Sequence, residues 1–338
     1  MNVLLTCVGR RNYIVDYFKQ ALGKEGRVFA ANSYGDAAGM VVADKAFIMP
    51  SIFDSSYVEN LLEICQTYRI KLLVSLFDLE LPILAANRKK FLDIGTFPLV
   101  SSPEVNEICF DKQKSNKFCN DIGLKVPKSY FSLDDVKNSL QNNEVDFPMV
   151  IKPRWGTGSV GLEYAQNLRE LEIYYDKVKG TIAGTYLTDI IGADKNWDVI
   201  IQEKIDGVHY TIDTVNDLDG NYRTSFIKRK LEMRAGEADR AVLVEDQAIV
   251  RLCQKIATSL KHIGNLDIDI IIDNETSYVI DLNPRIGGGY PFSHVAGANL
   301  PAALIAWVKG EETEVDWLSV QAGVLAVKGI QMFVVKNN

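Results

Sequence analysis

Through the first hundred residues, short apolar runs alternate with stretches of helical spacing. The runs lie at residues 3–6, 28–31, 46–49, 72–76 and 97–100, and helical spacing occupies residues 13–22, 57–68 and 81–92. Strands separated by helices predict βαβ units and a parallel, doubly wound sheet. The glycine fingerprint of a dinucleotide site is missing, because after the first run there is only Gly9, followed by Arg10 and Arg11. Ligands of such sheets bind beyond the carboxyl ends of the strands, which points to Arg10, Arg11, Asp78 and Glu80 as substrate candidates. The same four charges also fit solvated loops.

The pattern then changes. A polar helix is predicted over residues 111–120, and residues 123–127 read as a break into a new unit. Residues 147–153 read as a strand that runs straight into Gly156, Gly158 and Gly161, with a helix resuming near Asn167. Strands follow at 199–203 and 209–215, a basic run at 228–230, helical spacing over 243–260, and two apolar strands before a glycine loop. Those last strands, 266–272 and 278–283, pair as an antiparallel hairpin if the turn centres on Glu275. Asp269 then faces Asp281 and Asp267 faces Asn283, all on one face, while Ile268, Ile270, Ile280 and Leu282 fill the other. Opposed carboxylates have Cβ atoms only ~4.5–5.5 Å apart, so a cation is expected between or beside them. Oxygen ligands in this arrangement suit Mg²⁺, with Mn²⁺ as the alternative, completed by substrate phosphates and water. An acidic, solvent-facing hairpin is the competing reading, and Arg285 with the following glycines weighs against it.

Lys152 with the glycine loop at 156–161 offers a point charge and permissive main chain to phosphate oxygens, although a structural turn beside a chance lysine reads the same way. His209 fits either a ribose contact or an ordinary strand histidine.

Composition narrows the class. The chain has 338 residues, 47% of them hydrophobic and 24% charged, with a net charge of −7, which favours an ordinary globular enzyme over a nucleic-acid binder. Five scattered cysteines form no metal or redox pair and are read as reduced core thiols. No run approaches the ~18 apolar residues of a membrane span, so a cytoplasmic location without membrane partners is expected.

Taken in order, Asp111-Lys112, residues 150–153 with their glycine loop, residues 202–207, Asp269 and residues 280–285 resemble the ATP-grasp superfamily, in particular the branch similar to the carbamoyl-phosphate synthase large subunit. The resemblance implies an α/β plus α+β protein. It comprises a Rossmann-like domain over 1–109, an ATP-grasp domain over 110–310 with a mobile lid at about 122–203, and a C-terminal extension over 311–338. It further implies that Lys112, Lys152 and the loop residues Gly156, Thr157, Gly158, Ser159 and Gly161 meet the phosphates of ATP. Gln202, Glu203, Lys204, Ile205 and His209 would line the nucleoside pocket, and Asp269, Asp281 and Asn283 would hold the metal. Arg285, with Lys152 and Asn283, is implied at the reacting phosphate, and Arg285 again, with Arg229, Arg234, Gly287 and Gly288, at the substrate. The implied reaction is that of a carboxylate–amine, or amino acid, ligase, passing through an acyl phosphate and giving ADP and phosphate. Bicarbonate phosphorylation of the carboxylase or carbamoyl-phosphate type, and a silent nucleotide-binding accessory protein, are the alternatives. A homodimer is among the expected states.

Overall fold

A computed structural model describes residues 1–156, 160–183, 199–234 and 236–335. The first unit is a five-stranded parallel sheet with strand order β3-β2-β1-β4-β5. Its elements are β1 (Asn2–Thr6), α1 (Asn12–Leu22), β2 (Val28–Asn32), α2 (Ala38–Val42), β3 (Lys45–Ile48), α3 (Tyr57–Thr67), β4 (Ile70–Ser75), α4 (Leu81–Ala86), α5 (Arg88–Asp93) and β5 (Phe97–Leu99). The helix expected over 81–92 is two, broken at Asn87. Strand order reverses between β1 and β4, which opens a crevice at their carboxyl ends.

Two helices, α6 (Pro103–Phe110) and α7 (Lys112–Asp121), lead into a four-stranded sheet ordered β6-β9-β7-β8: β6 (Ser129–Tyr130), β7 (Met149–Pro153), β8 (Glu163–Ala165) and β9 (Val199–Glu203). It is backed by α8 (Leu133–Gln141) and α9 (Leu168–Ala183) around a core of Val136, Ile151, Leu171, Val178 and Ile201.

The third sheet has six antiparallel strands ordered β14-β13-β10-β11-β12-β15: β10 (Val208–Asn216), β11 (Tyr222–Arg234), β12 (Glu237–Val244), β13 (Gly264–Asp273), β14 (Thr276–Asn283) and β15 (Leu325–Val327). Helix α10 (Gln247–Leu260) packs Ile249, Cys253 and Ile256 on Ile212, Ile227, Leu266 and Ile268. Helical spacing suggested a start at 243, but Leu243 is the buried end of β12. The helix begins after Asp246, whose carboxylate caps Ala248 N and Ile249 N. Two further helices, α11 (Tyr290–Val295) and α12 (Leu300–Lys309), follow the glycine loop. Leu300, Leu304 and Ile305 complete the core beneath β1 and β4. The C-terminal stretch is part of the fold, since β15 pairs with β12 through Arg240–Val327 and Val242–Leu325. All five cysteines are free. Among the described residues no helix is long and apolar enough to cross a membrane.

Candidate active site

Between the four-stranded and six-stranded sheets lies a cavity of about 590 Å³. Its floor is the β13–β14 hairpin. Asp267 faces Asn283, Ile268 faces Leu282 and Asp269 faces Asp281. The connection itself is the two-residue turn Asn274-Glu275, with Asn274 at φ 52°, and a bulge between Asp269 and Ile270 absorbs the resulting one-residue shift. The consequence is a side-chain exchange. Val279, rather than Ile280, joins the core with Leu282, and Ile280 lines the cavity.

Strand alternation on β10 and β11 decides which charges meet this floor. Thr211 pairs with Asp269 on one side and Lys228 on the other, so Lys228 and Lys230 share the carboxylate face. Lys230 Nζ lies 2.8 Å from Asp269 Oδ1, and Lys112 Nζ, at the start of α7, lies 3.6 Å from Asp281 Oδ1. Lys228 is fully buried against Asp213 and donates to Ser293 Oγ at 3.1 Å, a closed pair inside the sheet. The expectation for Arg229 and Arg234 is corrected accordingly. Both are exposed, Arg229 on the opposite face and Arg234 paired with Asp239 at 3.0 Å, and Lys230 stands in the cavity instead.

Lys152, on β7, faces the floor from the other sheet. Burial, with Lys112 beside it, pulls its pKa down to about 8, against the carboxylates of Asp281 and Asp269. Lys112 also donates to Gly156 O at 3.1 Å. Arg154 grips Asp111 through two bonds of 2.7 and 2.6 Å, tying the end of β7 to the cap of α7. Gly156 lines the cavity and Gly161 turns at φ 70°, whereas Thr157, Gly158 and Ser159 lie outside the described residues.

Along the opposite wall, Gln202, Glu203, Lys204 and Ile205 run past the cavity on and after β9. Gln202 is anchored to Ser129 Oγ at 2.8 Å, and Glu203 accepts from Lys128 N at 2.8 Å. His209 reaches the same wall. Its burial and the nearby Lys230 and Lys204 lower its pKa, so the ring is neutral at neutral pH.

Arg285 lies past Asn283 at the seam with the first unit. Its Nε meets Asp78 at 2.9 Å and its Nη1 meets Asp267 at 3.3 Å, both carboxylates being buried. These ion pairs outweigh the cost of burial and hold its charge more firmly than usual. Glu80 is fully buried and satisfied by Thr6, Ser75 and Tyr57 at 2.6–2.7 Å, which makes it a tie within the first sheet and removes it from the substrate candidates. Arg10 is exposed.

The loop after Arg285 leaves no room for side chains. A Cβ on Gly287 would fall on the Asp267 carboxylate, and one on Gly288 would lie 2.5 Å from Glu237 Cδ. Gly287→Ala is therefore expected to cost about 1–3 kcal/mol through overpacking, read as a lowered unfolding midpoint. An unchanged midpoint would mean that the loop yields freely.

The donor set fits a divalent cation held jointly with phosphates. Among the described residues no three His, Cys, Asp or Glu side chains form a self-sufficient metal site. Asp269 Oδ1 is buried with no properly aligned hydrogen bond, and burial raises this carboxyl's pKa against the pull of Lys230. Two carboxylates in the cavity, with the Asn283 amide beside it, would offer hard oxygen ligands, and three lysines would offer charge to phosphates.

A cavity is clasped between two antiparallel sheets, with lysines from both around a facing carboxylate pair. The chain belongs to the ATP-grasp family: the ATP-grasp domain matches residues 109–289, more than half of the chain, and the PylC-like N-terminal domain matches residues 3–99. The carbamoyl-phosphate synthase of Methanobrevibacter smithii is 22% identical over 316 residues, covering 90% of this chain and 80% of its own. The carbamoyl phosphate synthase large chain of Helicobacter pylori is 24% identical over 264 residues; the match takes in 75% of this chain but only 23% of that one. The same fold is seen in the biotin carboxylase domain of Hydrogenobacter thermophilus 2-oxoglutarate carboxylase, solved as a dimer with MgADP and bicarbonate. Its TM-score is 0.73 at 17% identity, covering 96% of this chain and 73% of that one. It is seen again in the L-amino acid ligase of Bacillus licheniformis, with TM-score 0.67 at 19% identity, covering 91% and 74%.

Proposed function

We propose that this protein is an ATP-dependent ligase that joins a small carboxylate to an amine. The observation that carries the reading is the convergence of Lys112, Lys152 and Lys230 on the facing Asp269 and Asp281, with Arg285 beyond them. In this reading the lysines take the phosphates, while residues 202–205 and His209 line the nucleoside end. The four-stranded sheet is a lid that closes over both. Asp269, Asp281 and Asn283 would hold Mg²⁺, which would supply charge neutralisation at the phosphates.

A carboxylate oxygen attacks the γ-phosphorus, the bond to ADP breaks, and the amine then displaces phosphate from the acyl carbon with loss of a proton. The chain needs to supply only positioning and charge, with no side-chain nucleophile. Closure over the cavity keeps water from the acyl phosphate.

Mg-dependent ADP formation, measured across amino acids and small carboxylates with and without added amines, tests the proposal. One acid should raise turnover and an amine should raise it further. Turnover on bicarbonate with no organic acid would replace the reading with carboxy-phosphate chemistry. Nucleotide binding without ADP formation in any mixture would leave an accessory binding protein.

The Lys152 pKa adds a pH signature. The ammonium is half titrated at pH about 8, nearly complete a unit below and largely lost a unit above, and bound phosphate pulls the proton back. Calorimetric affinity for MgADP should therefore fall as pH rises from about 7 to about 9, with proton uptake on binding. Lys152→Arg should flatten that profile, because a guanidinium stays charged throughout.

A further inference from the structure

Two separate cores meet at one end of the cavity. Helix α7 packs on the six-stranded sheet, where buried Cys119, with Phe118 and Ile122 beside it, joins the core of Ile212, Leu266 and Val279. Strand β7 belongs to the four-stranded sheet, where Met149 and Ile151 are buried with Leu171 and Val178. The cavity takes a lysine from each, since Lys112 opens α7 and Lys152 lies near the end of β7. Neither core by itself sets the spacing of the two ammonium groups.

Arg154 and Asp111 join the two cores at this point. The guanidinium donates through Nε to Asp111 Oδ1 at 2.7 Å and through Nη2 to Oδ2 at 2.6 Å, a fork that fixes angle as well as distance. The carboxylate is buried and also caps α7, with Oδ1 accepting from Gln113 N at 2.9 Å. The main chain repeats the tie, because Lys112 N donates to Arg154 O at 3.3 Å. On its other side the guanidinium carbon lies 4.5 Å from the ring centre of Trp155, which lines the cavity. Neither Asp111 nor Arg154 lines the cavity itself, so the pair stands behind the lysines and not among them.

We propose that the Asp111–Arg154 pair is a latch between the two cores, and that Arg154 is a positioning residue that sets Lys152 against Lys112 as one grip on phosphate. The inference rests on the reading of the cavity as a nucleotide site and adds to it a residue that touches no ligand. A buried ion pair is a poor source of net stability, because apolar groups of the same size do as well. What apolar groups do not supply is a fixed angle between two bodies that pack separately. A lysine at 154 would keep the charge but lose the fork and the flat face against Trp155.

The test is titration calorimetry of the full chain with MgADP. Asp111→Asn keeps an oxygen for Gln113 N, and with it the helix cap, but removes the charge that holds Arg154. Asp111→Asn combined with Arg154→Met removes both charges and strands neither, which protects the fold. Both variants, and Arg154→Lys, should bind MgADP about tenfold or more weakly than wild type, with circular dichroism unchanged. The decisive comparison repeats the double substitution in a Lys152→Met background. There it should add less than about twofold, because the lysine that the latch positions is gone. A merely structural pair would cost the same in both backgrounds, and that result overturns the latch. Wild-type affinity in Asp111→Asn or in Arg154→Lys overturns it as well. The two claims separate on the unmodified chain. If it binds no MgADP, the nucleotide reading falls and the latch falls with it, whereas wild-type binding with unaffected variants removes the latch alone.

Discussion

Lys152→Met should reduce ADP formation about 10²–10³-fold while leaving the fold as stable as before or more so. Lys152 sits partly buried at the end of β7, where desolvation and the neighbouring Lys112 pull its pKa down to about 8 against the carboxylates of Asp281 and Asp269. Replacing a partly buried cation that holds no ion pair of its own among the described residues by an apolar side chain of similar length removes a desolvation cost. Asp269 and Asp281 keep Lys230 and Lys112, so no carboxylate is stranded. The two readouts therefore move apart, in a way that a general packing defect would not produce. Measured by coupled ADP release beside urea unfolding, wild-type turnover in this variant would remove Lys152 from the phosphate site.

Arg285→Met is expected to have the opposite balance, destabilising the protein by about 3–5 kcal/mol, because it leaves buried Asp78 and Asp267 without their shared cation. Thr211 Oγ1 still donates to Asp267 at 2.9 Å, which leaves Asp78 as the more exposed loss. Adding Asp78→Asn should recover a measurable part of the stability, since the stranded charge is then gone. A double-mutant cycle by chemical denaturation reads the coupling directly. Independent, additive effects would mean that the seam is held by other contacts.

The hairpin shows how much of the site could be read from residue order. Alternating aspartates and isoleucines on two adjacent runs specify a face, and a turn centred on Glu275 sets Asp269 opposite Asp281, a pairing that the bulge preserves despite the tighter turn. The bulge that moves Ile280 into the cavity did not, because its cause is a turn one residue tighter than the spacing suggests. Lys230 was within reach of the same reasoning. Along strand residues 228–234, parity places Lys228 and Lys230 together and Arg229 away from them, whereas the family resemblance pointed to the arginines. The Arg285–Asp78 pair had no local signal, since 207 positions separate its members. Glu80 likewise looked like a loop charge, because the hydroxyls that satisfy it come from residues 6, 57 and 75.

The first sheet closes all its backbone pairing within residues 2–99, but the apolar face beneath it and the crevice above it are finished by residues near the other end of the chain. During synthesis, β1 to β5 can form long before Arg285, Leu300 and Leu304 have been made. The two halves must then meet before Asp78 has a counter-ion and before Arg11 has the Ile286 carbonyl as a neighbour. The crevice above β1 and β4 is thus complete only once the two halves have docked, and a chain that docks them wrongly lacks it.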